Sequence, residues 1–278
     1  MSKLNFTVDE AKCTRCGTCV SDCVSNIIEK SGSSFPRVDP EQEENCLECQ
    51  HCLAVCPAGA ISVFGLKPED SLELKADLLP AFDSESRLVR GRRSVRRYHP
   101  GNVSPILIRR ILAAAAHAPT GVNTRSLCFT LIDDEQVMKR FRGQLMDKLH
   151  EALQAGRTSG GLDFLADEVA EYRKNGADGI LRGAPHALIV STESSAPCAA
   201  ENVTIALAYF ELLAQSAGLG TVWCGMLKIA LEAIPELKAL LGLPPDHSYY
   251  CMLFGHPSVH YARTVQRDNE AAVKHVKL

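Results

Sequence analysis

Cys13, Cys16, Cys19 and Cys23 read C-x2-C-x2-C-x3-C, and Cys46, Cys49, Cys52 and Cys56 repeat that run with every residue displaced by 33. Eight of the twelve cysteines in this 278-residue chain thus fall in its first 56 residues. Thiols packed this closely are within metal-ligand reach, and three chemistries compete for them. A disulfide framework needs an oxidising compartment. A structural zinc site takes four thiolates in a tetrahedron, usually from two separated C-x2-C pairs. Three cysteines at successive x2 intervals instead wrap the corners of an iron-sulfur cube, and two such runs in tandem favour that reading, whose chemistry is one-electron transfer.

Residues 1 to 65 resemble a bacterial two-cluster ferredoxin. That resemblance implies that Cys13, Cys16, Cys19 and Cys56 hold one 4Fe-4S cluster, and that Cys46, Cys49, Cys52 and Cys23 hold the other. The repeat continues beyond the ligands, with Val24-Ser25-Asn26-Ile27-Ile28 in the place of Pro57-Ala58-Gly59-Ala60-Ile61. Two halves related by a pseudo-two-fold are expected. The proline that follows the fourth cysteine in the family is present as Pro57 and replaced by Val24 in the first half, which adds a backbone N–H near a cluster sulfur. With all eight thiolate places filled, His51 reads as a surface histidine. So small a domain has little core, and we expect it to unfold without iron. Of the other cysteines, Cys128, Cys198 and Cys251 read as buried free thiols.

A second set of residues could bind a phosphate. Six arginines lie within eleven residues, Arg87, Arg90, Arg92, Arg93, Arg96 and Arg97. A solvated basic face is one reading and a nucleic-acid patch another, but the net charge is −3 and no aromatic residues interleave. The sharper reading uses order: Arg92-Arg93-Ser94-Val95-Arg96, then Ala118-Pro119-Thr120-Gly121-Val122-Asn123, then Gly218 to Gly225, then Phe254-Gly255-His256-Pro257. Over residues 82 to 278 the chain is similar to the nitroreductase family of FMN flavoenzymes. The resemblance implies an α+β fold with a mixed central sheet and long helices, assembled as a homodimer whose interface forms the FMN sites. Arg92 and Ser94, with Arg263 or Arg267, would take the phosphate, which carries roughly two negative charges, and Arg93 would be a further cofactor-binding residue. Arg96 would lie at the flavin pyrimidine edge. Pro119, Thr120 and Asn123 would border the ring, Asn123 exchanging hydrogen bonds with its carbonyl and imide. Val222, Trp223, Cys224 and Gly225 would line it, with the Cys224 and Gly225 backbone N–H groups facing N5 and O4 and the Cys224 thiol positional. The chain has Thr124-Arg125-Ser126 where the family often carries Gln-Pro-Trp, and Thr120 in place of serine keeps the hydroxyl.

The elements that must position these residues follow from composition and period. With 46% apolar and 23% charged residues the chain can bury a core. We read residues 66–81 as a polar linker between the two domains, 1–65 and 82–278. Ser104-Pro105 opens a helix whose Ile108, Ile111, Leu112 and Ala115 recur at helical spacing. Leu127–Ile132, Ala187–Val190 and Tyr249–Phe254 read as buried strands. Asn202–Ala217 reads as a long buried helix ended by Gly218, and Pro235 divides a later helical pattern. There is no G-x-G-x-x-G and no Walker A motif. No apolar run reaches the ~20 residues of a membrane span, and the first ten residues lack a secretory leader's apolar segment, so we expect a cytoplasmic protein. The combined expectation is an iron-sulfur flavoprotein oxidoreductase. A low-potential donor would load two 4Fe-4S clusters, these would load FMN, and the flavin would reduce a nitro compound, quinone or activated alkene. An NAD(P)H-dependent reductase with the clusters as a secondary relay, and a non-catalytic redox sensor or electron carrier, are the alternatives.

Overall fold

The 33-residue repeat of the sequence becomes a repeat of backbone conformation. The computed structural model describes residues 3–157, 162–267 and 271–277. In it Arg15 and Glu48 share left-handed backbone, φ 59° and 51°, as do Gly17 and Gln50, 78° and 60°, and Asn26 and Gly59, 53° and 57°. Gly17 precedes α1, Thr18–Ser21, and Gln50 precedes α2, His51–Ala54. The chain leaves both single-turn helices in the same way. Asn26 N–H donates to the Cys23 carbonyl at 2.9 Å, and Gly59 N–H to the Cys56 carbonyl at 3.1 Å. Glycine and asparagine reach this conformation at least cost, which suits them to the turn after each fourth cysteine. Strands β1, Thr7–Val8, β2, Ile28–Glu29, β3, Arg37–Val38, and β4, Ile61–Ser62, pair antiparallel, β1 with β4 and β2 with β3. Ile28 and Ile61, equivalent in the repeat, are both buried beside Leu4, Leu53 and Val63.

The described chain forms two units. The first comprises residues up to Pro80 with Val122–Thr124, and the second the remainder. Between Leu66 and Pro80 the first unit has only short 3-10 turns, Pro68–Asp70 and Ala76–Leu78, and its Leu72 and Leu74 side chains stand 93% and 83% exposed.

The second unit runs α3 Phe82–Gly91, α4 Pro105–Ala115, β5 Cys128–Ile132, α5 Glu135–Gln154, α6 Leu162–Asn175, β6 His186–Glu193, α7 Ala199–Ser216, β7 Gly220–Trp223, α8 Gly225–Ala233, α9 Pro235–Leu240 and β8 His247–Gly255. The sheet order is β5-β6-β8-β7 with every neighbour antiparallel. A parallel bridge from Ser94 to Thr221 supplies the mixed character. Alternation along the two central strands sets the layers. Ala187, Ile189, Cys251 and Leu253 face one core with α5, α6, α8 and α9. Leu188, Val190, Met252 and Phe254 face the other, with α4 and α7. Because both faces are covered, β6 and β8 read as continuous apolar runs. Gly220 has no room for a side chain, since a Cβ there would meet Val95 carbons at 2.7 Å. That close approach lays the arginine-rich segment along β7, where Val95 N–H donates to the Thr221 carbonyl at 2.8 Å. No helix among the described residues is long and apolar enough to cross a membrane.

Candidate functional site

In the first unit the cysteines sort into two sets that do not follow chain order. Cys23, Cys46, Cys49 and Cys52 line one cavity whose other walls include Leu4, Phe6, Ile28 and Val63. Burial pushes the Cys52 thiol up to about 12, and the neighbouring Cys49, Cys46 and Cys23 add to the rise. Cys46 is raised by burial with Cys49 and Cys23 beside it. Cys19 is raised by burial together with Cys56, Cys16 and Cys13. The thiols that sense one another are therefore 13, 16, 19 with 56, and 46, 49, 52 with 23. Cys16 is held below the usual thiol range by its hydrogen bond with Thr18 Oγ1 at 3.2 Å. Among the described residues no His, Cys, Asp or Glu cluster converges on a single metal ion. The sulfurs of Cys23, Cys46, Cys49 and Cys52 border one volume, which fits a cluster with sulfur donors at its corners. His51 stands at the surface, its Nδ1 3.4 Å from Asp22 Oδ2.

In the second unit Arg96, Val222, Trp223, Cys224 and Gly225 come together at one open recess, with Arg182, Phe164, Met226 and Ile229. β7 carries Val222 and Trp223 to it, and α8 starts at Gly225. The backbone role expected of Cys224 is corrected here. Its N–H is taken up by the sheet, donating to the Cys251 carbonyl at 2.9 Å, because the antiparallel pairing of β7 with β8 continues one residue past Trp223. The Gly225 N–H, in the first turn of α8, is the donor left to face a ligand. The Cys224 thiol is buried, donates to the Ile180 carbonyl at 3.4 Å and is pushed by burial up to about 11.

The arginine motif divides between two partners. Arg92 follows α3, and its Nη1 donates to Glu211 Oε1 at 3.0 Å. Glu211 is a buried carboxylate on α7 that also accepts from Thr221 Oγ1 at 3.3 Å and, through Oε2, from Trp223 Nε1 at 3.0 Å. Arg93 lines a neighbouring recess with Gly218 to Thr221, Pro257, His260 and Tyr261, and its Nε is buried without a hydrogen-bond partner. An unpaired buried guanidinium nitrogen fits a phosphate. Arg96 Nη1 donates to the Ser94 carbonyl at 3.3 Å.

Pro119 and Thr120 lie in the loop after α4. Buried Asn202 clamps that loop, accepting from Gly121 N–H at 2.9 Å and donating to the Pro197 carbonyl at 2.8 Å. Thr120 Oγ1 accepts from Arg125 N–H at 3.0 Å, which turns its hydroxyl to the loop. Asn123, with φ 54°, belongs to the first unit, so the structure does not gather it with Arg96 and β7. Arg263 and Arg267 lie in the exposed, irregular C-terminal segment. The burial expected of Cys128 and Cys198 is also corrected. Cys128 opens edge strand β5 and Cys198 precedes α7 in left-handed backbone, and both are exposed, whereas Cys251 in central β8 is buried. Sequence reasoning missed Glu211, Asn202 and Arg182. The signal for the first was an acidic residue inside an apolar helix.

Residues 89–256, more than half of the chain, match the model of the nitroreductase family. The chain belongs to that family. Residues 12–61 match the 4Fe-4S dicluster domain. A ferredoxin-like protein in the nif region of Sinorhizobium fredii is 38% identical over 55 residues, 19% of this chain and 84% of that one. The iodotyrosine deiodinase of Thermotoga neapolitana is 30% identical over 113 residues, 40% of this chain and 57% of that one. Among solved structures, a nitroreductase with bound FMN from Bacteroides fragilis aligns with TM-score 0.53 and 20% identity, covering 69% of this chain and 98% of that one. At that identity the likeness is one of fold.

Proposed function

We propose that this nitroreductase-family chain is an iron-sulfur flavoprotein oxidoreductase. In this reading it accepts electrons singly from a low-potential donor at two 4Fe-4S clusters and passes them in pairs, through FMN, to a small electrophilic acceptor such as a nitro compound, quinone or activated alkene. The carrying observation is the joint presence of two crosswise thiol sets and an arginine-rimmed recess along β7 of a nitroreductase domain. When bound, the clusters supply one-electron transfer, and FMN couples single-electron to paired-electron chemistry. The two domains are residues 1–65 and 82–278, and the protein acts in the cytoplasm as a homodimer joined through the larger domain.

The chain's own residues divide the work. Cys13, Cys16, Cys19 and Cys56 hold one cluster, and Cys46, Cys49, Cys52 and Cys23 the other. Arg93, with its buried unpaired Nε, and the Arg92 nitrogens not given to Glu211 take the phosphate together with Ser94 and Arg263 or Arg267. Arg96 places positive charge at the pyrimidine edge, and the Gly225 N–H faces the ring. Pro119 and Thr120 border it.

Anaerobically purified protein should contain about eight iron atoms, about eight acid-labile sulfides and about one FMN per chain. Mixing it in turn with reduced ferredoxin, NADH and NADPH while following flavin absorbance identifies the donor. Bleaching by ferredoxin alone supports the reading. Zinc in place of iron overturns it, and bleaching by NAD(P)H with no response to ferredoxin makes the protein an NAD(P)H-dependent reductase.

A further inference from the structure

The connection between α6 and β6 is built to hold one side chain. Asp178 lies 2.6 Å from Arg142 Nε and accepts from the N–H groups of Leu181 at 2.7 Å and Gly183 at 3.0 Å. Arg142 Nη2 closes the loop by donating to the Ala184 carbonyl at 2.9 Å. Both charged side chains are nearly buried, at 13% and 8% exposure, and Ile180, Leu181 and Ala184 are fully buried. At the tip of this clamped loop Arg182 adopts φ 55°, a backbone that a bulky residue rarely occupies unless the surrounding structure fixes it. Among the described residues its guanidinium has no ion pair and no side-chain hydrogen bond. It lines the recess along β7 opposite no acid, because that lining contains no Asp or Glu; Phe164, Trp223, Met226 and Ile229 supply apolar wall.

A half-buried guanidinium with no ion-pair partner, carried on a clamped loop beside aromatic and aliphatic walls, suits a planar anion better than a neutral molecule. Arg96 is assigned to the flavin, which leaves Arg182 for the acceptor. We propose that Arg182 is the anion-binding residue of the acceptor subsite, and that the acceptor is an aromatic or conjugated carboxylate. This rests on the FMN reading and adds the class of substrate to it.

The chain holds a single tryptophan, Trp223, in the wall of that recess, so its fluorescence reports ligand there. The full-length protein as purified is titrated with 4-nitrobenzoate and with its methyl ester, followed by Trp223 emission and by flavin absorbance, and KM is measured for both. The acid should bind about tenfold or more tighter than the ester, the strength of one charge-assisted contact. Arg182→Gly, which suits the left-handed backbone, should abolish that preference, and Arg182→Lys should retain part of it, while the FMN content of both variants stays that of wild type. No preference in wild type, or a preference that survives Arg182→Gly, overturns the proposal. Loss of FMN from Arg182→Gly overturns it as well, by making Arg182 a flavin ligand. A wild-type protein that neither carries nor binds FMN refutes the flavin reading instead, and the Trp223 titration on it still decides whether Arg182 selects the acid.

Discussion

Glu211 is a carboxylate inside a helix otherwise suited to burial, and both its oxygens are spent on Arg92, Thr221 and Trp223. Removing its cation strands the charge. Arg92→Ala should therefore destabilise the protein by about 1–3 kcal/mol, reduced from the cost of a fully buried pair because the Arg92 side chain is 29% exposed. It should also weaken FMN binding. Adding Glu211→Gln should restore part of the stability but not the flavin affinity, which separates the two roles in denaturation and flavin-fluorescence measurements. The thiols make a second test. Cys128 and Cys198 are exposed and should react with iodoacetamide in the folded protein, whereas Cys251 and Cys224 should stay protected, as mass spectrometry of the labelled chain would show. Burial raises Cys224 to about 11 against an ordinary thiol near 9. Between those values the unfolded chain loses a proton that the folded chain keeps, so stability is undiminished below pH 9 and falls as pH rises toward 11, by up to about 2 kcal/mol. Melting temperatures of Cys224→Ala should decline less over that range, the remaining slope belonging to Cys251, whose thiol burial also raises.

At the scale of elements, β7 and the arginine-rich segment are one unit of structure, joined by the Ser94–Thr221 bridge and by the space that Gly220 leaves for Val95. Gly220→Ala places a methyl group 2.7 Å from Val95, overpacking that costs about 1–3 kcal/mol. We expect a lowered melting temperature and a weaker FMN affinity, because the segment carrying Arg92 to Arg96 must shift. A variant that melts like wild type would show that the contact relaxes freely. Period and punctuation made the central strands, α7 and the Pro235 break legible, since burial on both sheet faces leaves an apolar run and proline cannot continue a helix. The edges were less legible: β6 extends from His186 to Glu193, and β7, only four residues long, read as a flavin motif and not as a strand. Glu211 and Arg182 were out of reach of spacing, because their partners are brought to them by tertiary packing. The Asp178 clamp shows why, joining residues 36 apart in the chain.

At the scale of the molecule the two units differ in what holds them. The second has a core on both faces of its sheet. The first has a thin core of which Leu4, Ile28, Leu53 and Ile61 are the main members, with the cysteines at its margin. Chelating the iron should thus abolish the first unit's fold while the sheet of the second survives, which circular dichroism and hydrogen exchange would separate. A chain starting at Leu79 should fold, bind FMN and, once reduced chemically, transfer electrons to a nitroaromatic, yet lose turnover driven by reduced ferredoxin. Full ferredoxin-driven turnover in the shortened chain would make the clusters structural. The crosswise cysteine sets carry one more consequence. Ligand order and chain order disagree, since Cys23 joins the later run and Cys56 the earlier one. In the ligation proposed above, each half of the first unit contributes one cysteine to the other's cluster. A single cut at the exposed turn around Gly32 should then leave two fragments that travel together through gel filtration, joined by iron–thiolate bonds as well as by the β1–β4 and β2–β3 pairings, and that part when the metal is withdrawn.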